Sequence, residues 1–153
     1  MIVSFTGTSR GMTTEQKAAL GHLLTQLQPT EIHHGDCVGA DTECAEIAAS
    51  LVSRPKIVAH PGKNANANEH GLLASSQHND EVLAPMTHFA RNRKLVDLLV
   101  GPDDLLLATP FDSQPVTLGG TAYTIAYCQK RARKLVIVWP DGHISEDWTV
   151  PES

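Results

Sequence analysis

Thr30-Glu31-Ile32-His33-His34-Gly35-Asp36-Cys37-Val38-Gly39-Ala40-Asp41 passes within a dozen residues from an extended run to the start of a helix. Thr30–His34 is short and bounded by a glycine, which predicts a strand. From Ala40 to Ser53 the small and apolar residues Ala45, Ala48, Ala49 and Val52 share one helical face. Another apolar run, Lys56–His60, follows and is closed by Pro61-Gly62. Strand, glycine loop, helix and strand in that order make a crossover unit, which joins parallel strands.

The same alternation extends in both directions. Upstream, Ile2–Thr6 is an apolar run closed by Gly7. Thr13 and Gln16 have capping-box spacing, and Leu20, Leu23, Leu24 and Leu27 then repeat at i, i+3, i+4, i+7 until Pro29. Downstream, residues 63–85 are dominated by Asn, Ala, His and Ser with weak periodicity, which predicts a long loop or lid. A helix over Pro85–Val100 turns Leu95, Leu98 and Leu99 inward. Asp104–Thr109 and Lys134–Trp139 read as further strands, with a helix over Thr121–Ala132 between them. Pro140-Asp141-Gly142 is a turn, and residues 143–153 read as a peripheral tail. The prediction is an α/β fold: a Rossmann-like three-layer sandwich over residues 1–142, with a mostly parallel sheet of five strands or slightly more. Right-handed crossovers place all strand C-terminal ends on one edge, and ligands bind there at the point where strand order reverses.

Composition narrows the function classes. The chain has 153 residues, the size of one domain, and 41% are hydrophobic. A net charge of -5 with thinly spread Lys and Arg gives no basic face, so nucleic acid is not an expected partner. No apolar run approaches the ~20 residues a membrane helix needs. Met1-Ile2-Val3-Ser4-Phe5 lacks the features of a leader, so the cytoplasm is the expected compartment. The three cysteines, Cys37, Cys44 and Cys128, have no CxxC spacing. His22 falls on a predicted helix. The other histidines (His33, His34, His60, His70, His78, His88 and His143) lack ligand spacing and read as surface and loop imidazoles. No metal is expected.

Every unusual cluster falls at the predicted sheet edge. Gly7-Thr8-Ser9-Arg10-Gly11 follows the first strand. Gly35, Asp36, Gly39 and Asp41 follow the second. Thr109-Pro110 follows the fourth, and Gly119-Gly120-Thr121 opens a helix. Glycine lets backbone approach a ligand, and a helix start offers free N–H groups to an anion. Thr8, Ser9 and Thr121 add hydroxyls and Arg10 a fixed charge. The chain contains neither G-x-G-x-x-G nor G-K-[ST], so a dinucleotide fingerprint and a Walker loop are both excluded. No resident cofactor is expected. The expected ligand is a phosphate-bearing, nucleotide-derived small molecule.

Taken in order, Thr6-Gly7-Thr8-Ser9-Arg10, the segment His34–Asp41, Arg91-Asn92-Arg93-Lys94 and Gly119-Gly120-Thr121 resemble the SLOG superfamily. That group includes the LOG phosphoribohydrolases, the DprA-type proteins and the YpsA/YspA-related proteins. The likeness spans roughly Met1 to Gly142 and is nearest the small YspA-like branch, with its "HGxxxGxD", "RN" and "GGT" segments. It implies a Rossmann-like fold that binds nucleotides or their derivatives. In the LOG branch a "PGGxGTxxE" motif supplies phosphate-binding backbone and a catalytic glutamate, and an arginine assists cleavage of an N-glycosidic bond. Gly119-Gly120 matches the two glycines, and Arg91 or the Arg93-Lys94 pair matches the arginine. Thr121–Tyr127 contains no carboxylate, so the catalytic glutamate is absent here.

Two functions follow. One is a nucleotide-ligand sensor or binding module without turnover. The other is an N-glycosidic hydrolase of nucleoside phosphates or NAD-like molecules, in which Asp36 or Asp41 takes the acid/base role and Arg91 supports it. Asp41, at a helix start, is also favourable there as a plain cap, and Asp36 suits a ribose hydroxyl. Arg91 and Asn92 are read as ligand contacts. Cys37 has no base placed for it, and Tyr123 and Tyr127, at i, i+4, read as a packing pair. A homodimer is expected from likeness to the superfamily and from Ala122, Ile125, Ala126 and Cys128, which offer an apolar helical surface.

Overall fold

Leu105-Leu106-Leu107-Ala108-Thr109 is buried at every position, on both faces of the strand. A strand of this kind fits only the middle of a sheet that helices cover on both sides. The computed structural model, which describes residues 1–63, 77–113 and 119–146, has this arrangement. In chain order the elements are β1 (Ile2–Gly7), α1 (Thr14–Leu27), β2 (Glu31–His34), α2 (Ala40–Ala49), β3 (Lys56–Ala59) and β4 (Glu81–Val82). Then come α3 (His88–Asp97), β5 (Leu105–Thr109), α4 (Gly119–Lys130), β6 (Lys134–Val138) and β7 (Ile144–Glu146).

The sheet order is β4-β3-β2-β1-β5-β6-β7, and all neighbours are parallel except β6 and β7. The chain walks outward from β1 to β4, returns to lay β5 beside β1, and walks outward the other way. Strand order therefore reverses between β1 and β5, where Gly7 pairs with Thr109. On one face Val3, Phe5, Ile32, Ile57 and Leu107 pack against Leu20 and Leu24 of α1 and Ala45 and Ala48 of α2. On the other, Leu106, Ala108, Leu135 and Ile137 pack against Val96, Ile125 and Cys128 of α3 and α4. Among the described residues no helix is long and apolar enough to cross a membrane.

The Rossmann-like α/β architecture stands as predicted, with seven strands. Two were not read. Glu81–Val82 falls in the segment taken as a loop; residues 64–76 of that segment lie outside the described residues. Ile144–Glu146 falls in the segment taken as a tail, whose residues 147–153 also lie outside. Both strands are too short to show periodicity. Helix ends differ as well. α2 stops at Ala49, and Val52, expected on its inner face, is fully exposed. α3 begins only at His88, where the Thr87 side chain accepts the Ala90 N–H, because Pro85 cannot continue a helix upstream.

Gln16 does more than close the capping box with Thr13. Its Oε1 accepts the Thr13 N–H at 3.0 Å, and its Nε2 donates to the Pro110 carbonyl at 2.8 Å and the Val138 carbonyl at 3.0 Å. The start of α1 is thereby tied to the chain leaving β5 and to the end of β6. The side chain is fully buried. Replacing it with Leu strands two carbonyls and an N–H without changing volume much. The expected loss in urea unfolding of the Gln16→Leu variant is about 2–4 kcal/mol. A loss under about 0.5 kcal/mol would mean that water replaces these bonds at no cost.

Candidate functional site

The reversal point fixes the loops before any ligand is considered. As the chain leaves β1, the Thr8 N–H donates to the Thr109 carbonyl at 3.1 Å. The Thr8 carbonyl then accepts both the Gly11 N–H, at 3.1 Å, and the Ala40 N–H that opens α2, at 3.0 Å. Gly39 holds φ at 83°, and a Cβ there would lie 2.4 Å from the Ser9 carbonyl oxygen. Only glycine permits the two loops to meet this closely. Above them, between β1, β5 and the starts of α2, α3 and α4, opens a cleft of about 850 Å³.

One wall is a buried polar cluster. Arg91, in α3, is 4% exposed. Its Nη1 donates to the carbonyls of Gly35 and His60, its Nε to Asn92 Oδ1 at 2.7 Å, and its Nη2 approaches Cys37 Sγ at 3.6 Å. Asp41, also 4% exposed, accepts the Cys37 N–H on Oδ2 at 3.1 Å. Its Oδ1 accepts no hydrogen bond from the described residues. Burial outweighs the attraction of the Arg91 guanidinium and pushes the Asp41 carboxyl up to about 6. Both side chains close over Gly35, where a Cβ would lie 3.0 Å from each. Burial, followed by the charge of Asp41, pushes the Cys37 thiol up to about 12. Such a thiol is disfavoured as the thiolate that nucleophilic chemistry needs.

Behind this wall lie His33 and His34 of β2 and His60 directly after β3; His34 and His60 are buried and His33 is partly so. His34, on β2, accepts the Asp36 N–H on Nδ1 at 3.0 Å and pairs through Nε2 with Asn79 Oδ1 at 2.8 Å. Both ring nitrogens are thus used by the neutral form, and burial holds the imidazole down at about 4. His60 shares a 2.8 Å hydrogen bond with His33, which in turn meets Glu31 at 2.9 Å. Burial and the neighbouring imidazoles hold His60 at about 3. Burial at the C-terminal ends of β2 and β3, invisible in the spacing of the histidines, is what sets them apart. Among the described residues no group of three His, Cys, Asp or Glu is placed to hold a metal.

Most of the residues singled out from sequence meet in the cleft. Gly7, Thr8, Ser9, Arg10, Gly35, Asp41, Arg91, Asn92, Pro110, Gly119, Gly120 and Thr121 all line it. Asp36, Gly39 and Thr109 do not. Asp36 is buried in the turn that leaves β2, with φ at 55°, and Thr109 is buried beneath Gly7. Asn92 Nδ2 lies 3.6 Å from where a Gly120 Cβ would be, so α3 meets the start of α4 there. Tyr123 and Tyr127 pack as read, but against α3: Arg93 donates to Tyr123 Oη at 3.0 Å and Tyr127 donates to Asp97 at 2.8 Å. Of the residues meant to carry a dimer surface, Ala122, Ile125 and Cys128 are instead buried within the chain. Sequence reasoning missed His88, Phe89, Phe111 and Asp112, which also line the cleft. Phe111 stands two residues beyond the end of the Asp104–Thr109 run, which is the signal the sequence offers.

No family model matches the chain, and no curated protein matches it. Among solved structures it is similar to DNA processing protein A (DprA) from Streptococcus pneumoniae, with a TM-score of 0.60 and 18% sequence identity over 88% of this chain. The match covers 49% of that protein, so the chain spans about half of its length. At this identity the likeness is one of fold: the chain has a DprA-like, Rossmann-type architecture.

Proposed function

We propose that the cleft binds a nucleotide or nucleotide-derived phosphate ligand and that the protein acts as a sensor or binding module, as its motif order within the YspA-like branch implies. The observation that carries this reading is the convergence on one cleft of the Gly119-Gly120 start of α4, the exposed Arg10 and Asp41, whose Oδ1 has no hydrogen-bond partner among the described residues. The first turn of a helix lacks internal acceptors for its N–H groups and favours an anion. A carboxylate oxygen without a donor suits a ribose hydroxyl. The structural neighbour is named for processing DNA. A net charge of -5 argues against nucleic acid as the ligand here. Homodimer formation remains part of the proposal on superfamily likeness, with Ala126 the exposed member of the four apolar α4 residues.

A second reading, hydrolysis of an N-glycosidic bond, is favoured by one feature: a buried cleft carboxyl that titrates near 6. Such a group suits an acid or base at neutral pH. The role falls to Asp41, since Asp36 does not line the cleft. Arg91 is held by its protein partners and serves to position Asp41 and Asn92.

Gly120→Asp is a clean probe, because a Cβ there meets only Asn92 Nδ2, at 3.6 Å. Thermal shift with nucleoside monophosphates and NAD is expected to show stabilisation that this variant loses, with its ligand-free Tm within about 2 °C of the parent. If no such ligand stabilises the parent protein, the binding reading fails. Asp41→Asn separates the two readings. Base release seen by chromatography in the parent and lost in the variant supports hydrolysis; binding without release supports the sensor.

Stability gives an independent check on Asp41. Its carboxyl is raised from 3.8 to about 6 on folding, so the folded state holds the proton more tightly. That contribution is full below pH 4 and is lost as pH rises through 6. Relative to the parent, Asp41→Asn is expected to gain about 3 kcal/mol between pH 4 and pH 7 in denaturant unfolding. A flat difference would place the carboxyl in a solvated setting.

A further inference from the structure

The Asp36 N–H donates to His34 Nδ1 at 3.0 Å, inside the turn that carries the chain from β2 toward α2. Asp36 holds a φ of 55° there, a backbone conformation disfavoured for a residue with a Cβ. The ring is closed on its other side, where Nε2 pairs with Asn79 Oδ1 at 2.8 Å. Together the two bonds demand one protonation state. Nδ1 offers its lone pair to the backbone donor, and Nε2 carries the hydrogen given to the amide oxygen. His34 is fully buried.

A further proton on this ring is incompatible with the turn, because it sets an Nδ1–H against the Asp36 N–H. The groups around His34 do little to accommodate the charge. Arg91 of α3 is a cation, and His33 on the same strand and His60 after β3 are imidazoles. The flanking strands bring Phe5 of β1 and Ala59 of β3 beside it. The carboxyls of the loop and of α2 are Asp36 and Asp41, the latter drawn to Arg91 and the Cys37 N–H. The neighbouring His33–His60 pair behaves differently. A proton gained by His33 leaves that pair intact, since Nδ1–H then donates to His60 Nε2 while Nε2–H faces the Glu31 carboxylate. Of these histidines, His34 is the one whose protonation breaks a backbone bond.

We propose that His34 is an acid-operated latch on the cleft wall: protonation of Nδ1 releases the Asp36 turn and loosens the segment from Gly35 to Asp41. Gly35, Cys37 and Asp41 line the cleft, so the wall itself is what acid frees. Burial holds the imidazole at about 4 in the closed turn, against 6.5 once freed. The closed turn is therefore favoured in full above pH 6.5, and the advantage is lost as pH falls toward 4. For His34 alone, the opening equilibrium rises about twenty-fold from pH 7 to pH 5. Asp41 titrates in the opposite sense, because burial raises its carboxyl to about 6. The Asp41→Asn chain removes that opposition, so the figure is read there.

Amide hydrogen exchange of the full chain without ligand tests the latch and stands apart from the proposed binding role. Protection factors are followed at Asp36 and Cys37 from pH 7 to pH 5, with Leu106 and Leu107 of β5 as the core reference. In the Asp41→Asn chain, protection at Asp36 and Cys37 is expected to fall about twenty-fold and to stay below that of β5 throughout. Adding His34→Asn supplies the Asp36 N–H with an amide oxygen that does not titrate, and the fall is expected to shrink to about two-fold or less. Adding Asn79→Asp instead puts a carboxylate against Nε2 and favours the imidazolium, so the fall is expected to move up by about one pH unit or more. A change under about three-fold in the Asp41→Asn chain overturns the latch. An equal fall with His34→Asn assigns the trigger to another group, and the inference is wrong. If Asp36 and Cys37 track β5 at every pH, acid unfolds the whole chain rather than this turn, and the inference also fails. Should His34→Asn not fold, Asn79→Asp decides, and an unmoved midpoint overturns the latch.

Discussion

The Thr8 carbonyl is the hinge of the structure. It is one oxygen with two lone pairs, and both are used: one accepts the Gly11 N–H and the other the Ala40 N–H. The first bond curls the loop after β1. The second fixes the start of α2 against that loop, which sets where Gly35, Cys37 and Asp41 can lie. The sheet supplies the anchor, since the Thr8 N–H is itself held by Thr109 across the reversal of strand order. The glycine at position 39 is a consequence of this geometry, because any side chain there would strike the Ser9 carbonyl.

The buried polar wall follows from the same constraint. Once the loop after β2 is pressed against the loop after β1, the buried Gly35 carbonyl of that loop and the His60 carbonyl just beyond β3 need donors. Arg91 supplies them from α3, reaching Gly35 and His60 at once. His34 does the matching work on the other side by accepting the Asp36 N–H, and so stabilises a turn in which Asp36 adopts a positive φ. The cluster therefore exists to satisfy backbone. Among the described residues, Asp41 Oδ1 in this wall accepts no hydrogen bond.

Much of this was legible in the chain. The apolar run of β5, the leucine repeat of α1 and the capping pair Thr13 and Gln16 carry local periods, and periods survive without tertiary context. The edge loops were legible because glycine marks close approach. Three things were not. A strand of two or three residues, such as Glu81–Val82 or Ile144–Glu146, has no period to detect. The division of labour between Asp36 and Asp41 depends on which way a turn faces, which their spacing does not encode. The burial of Ala122, Ile125 and Cys128 was the third, because α4 is covered by α3 as well as by the sheet and its apolar face is wider than one stripe.

The two shortest strands, β4 and β7, are also the outermost ones. A sheet grows by offering a partner a row of free backbone donors and acceptors, and these strands offer rows of only two and three residues. β7 is moreover antiparallel in an otherwise parallel sheet, so a parallel strand arriving from another molecule finds a change of polarity at that border. Among the described residues the longer strands are thus held in the interior of the sheet, and only these short rows lie at its borders.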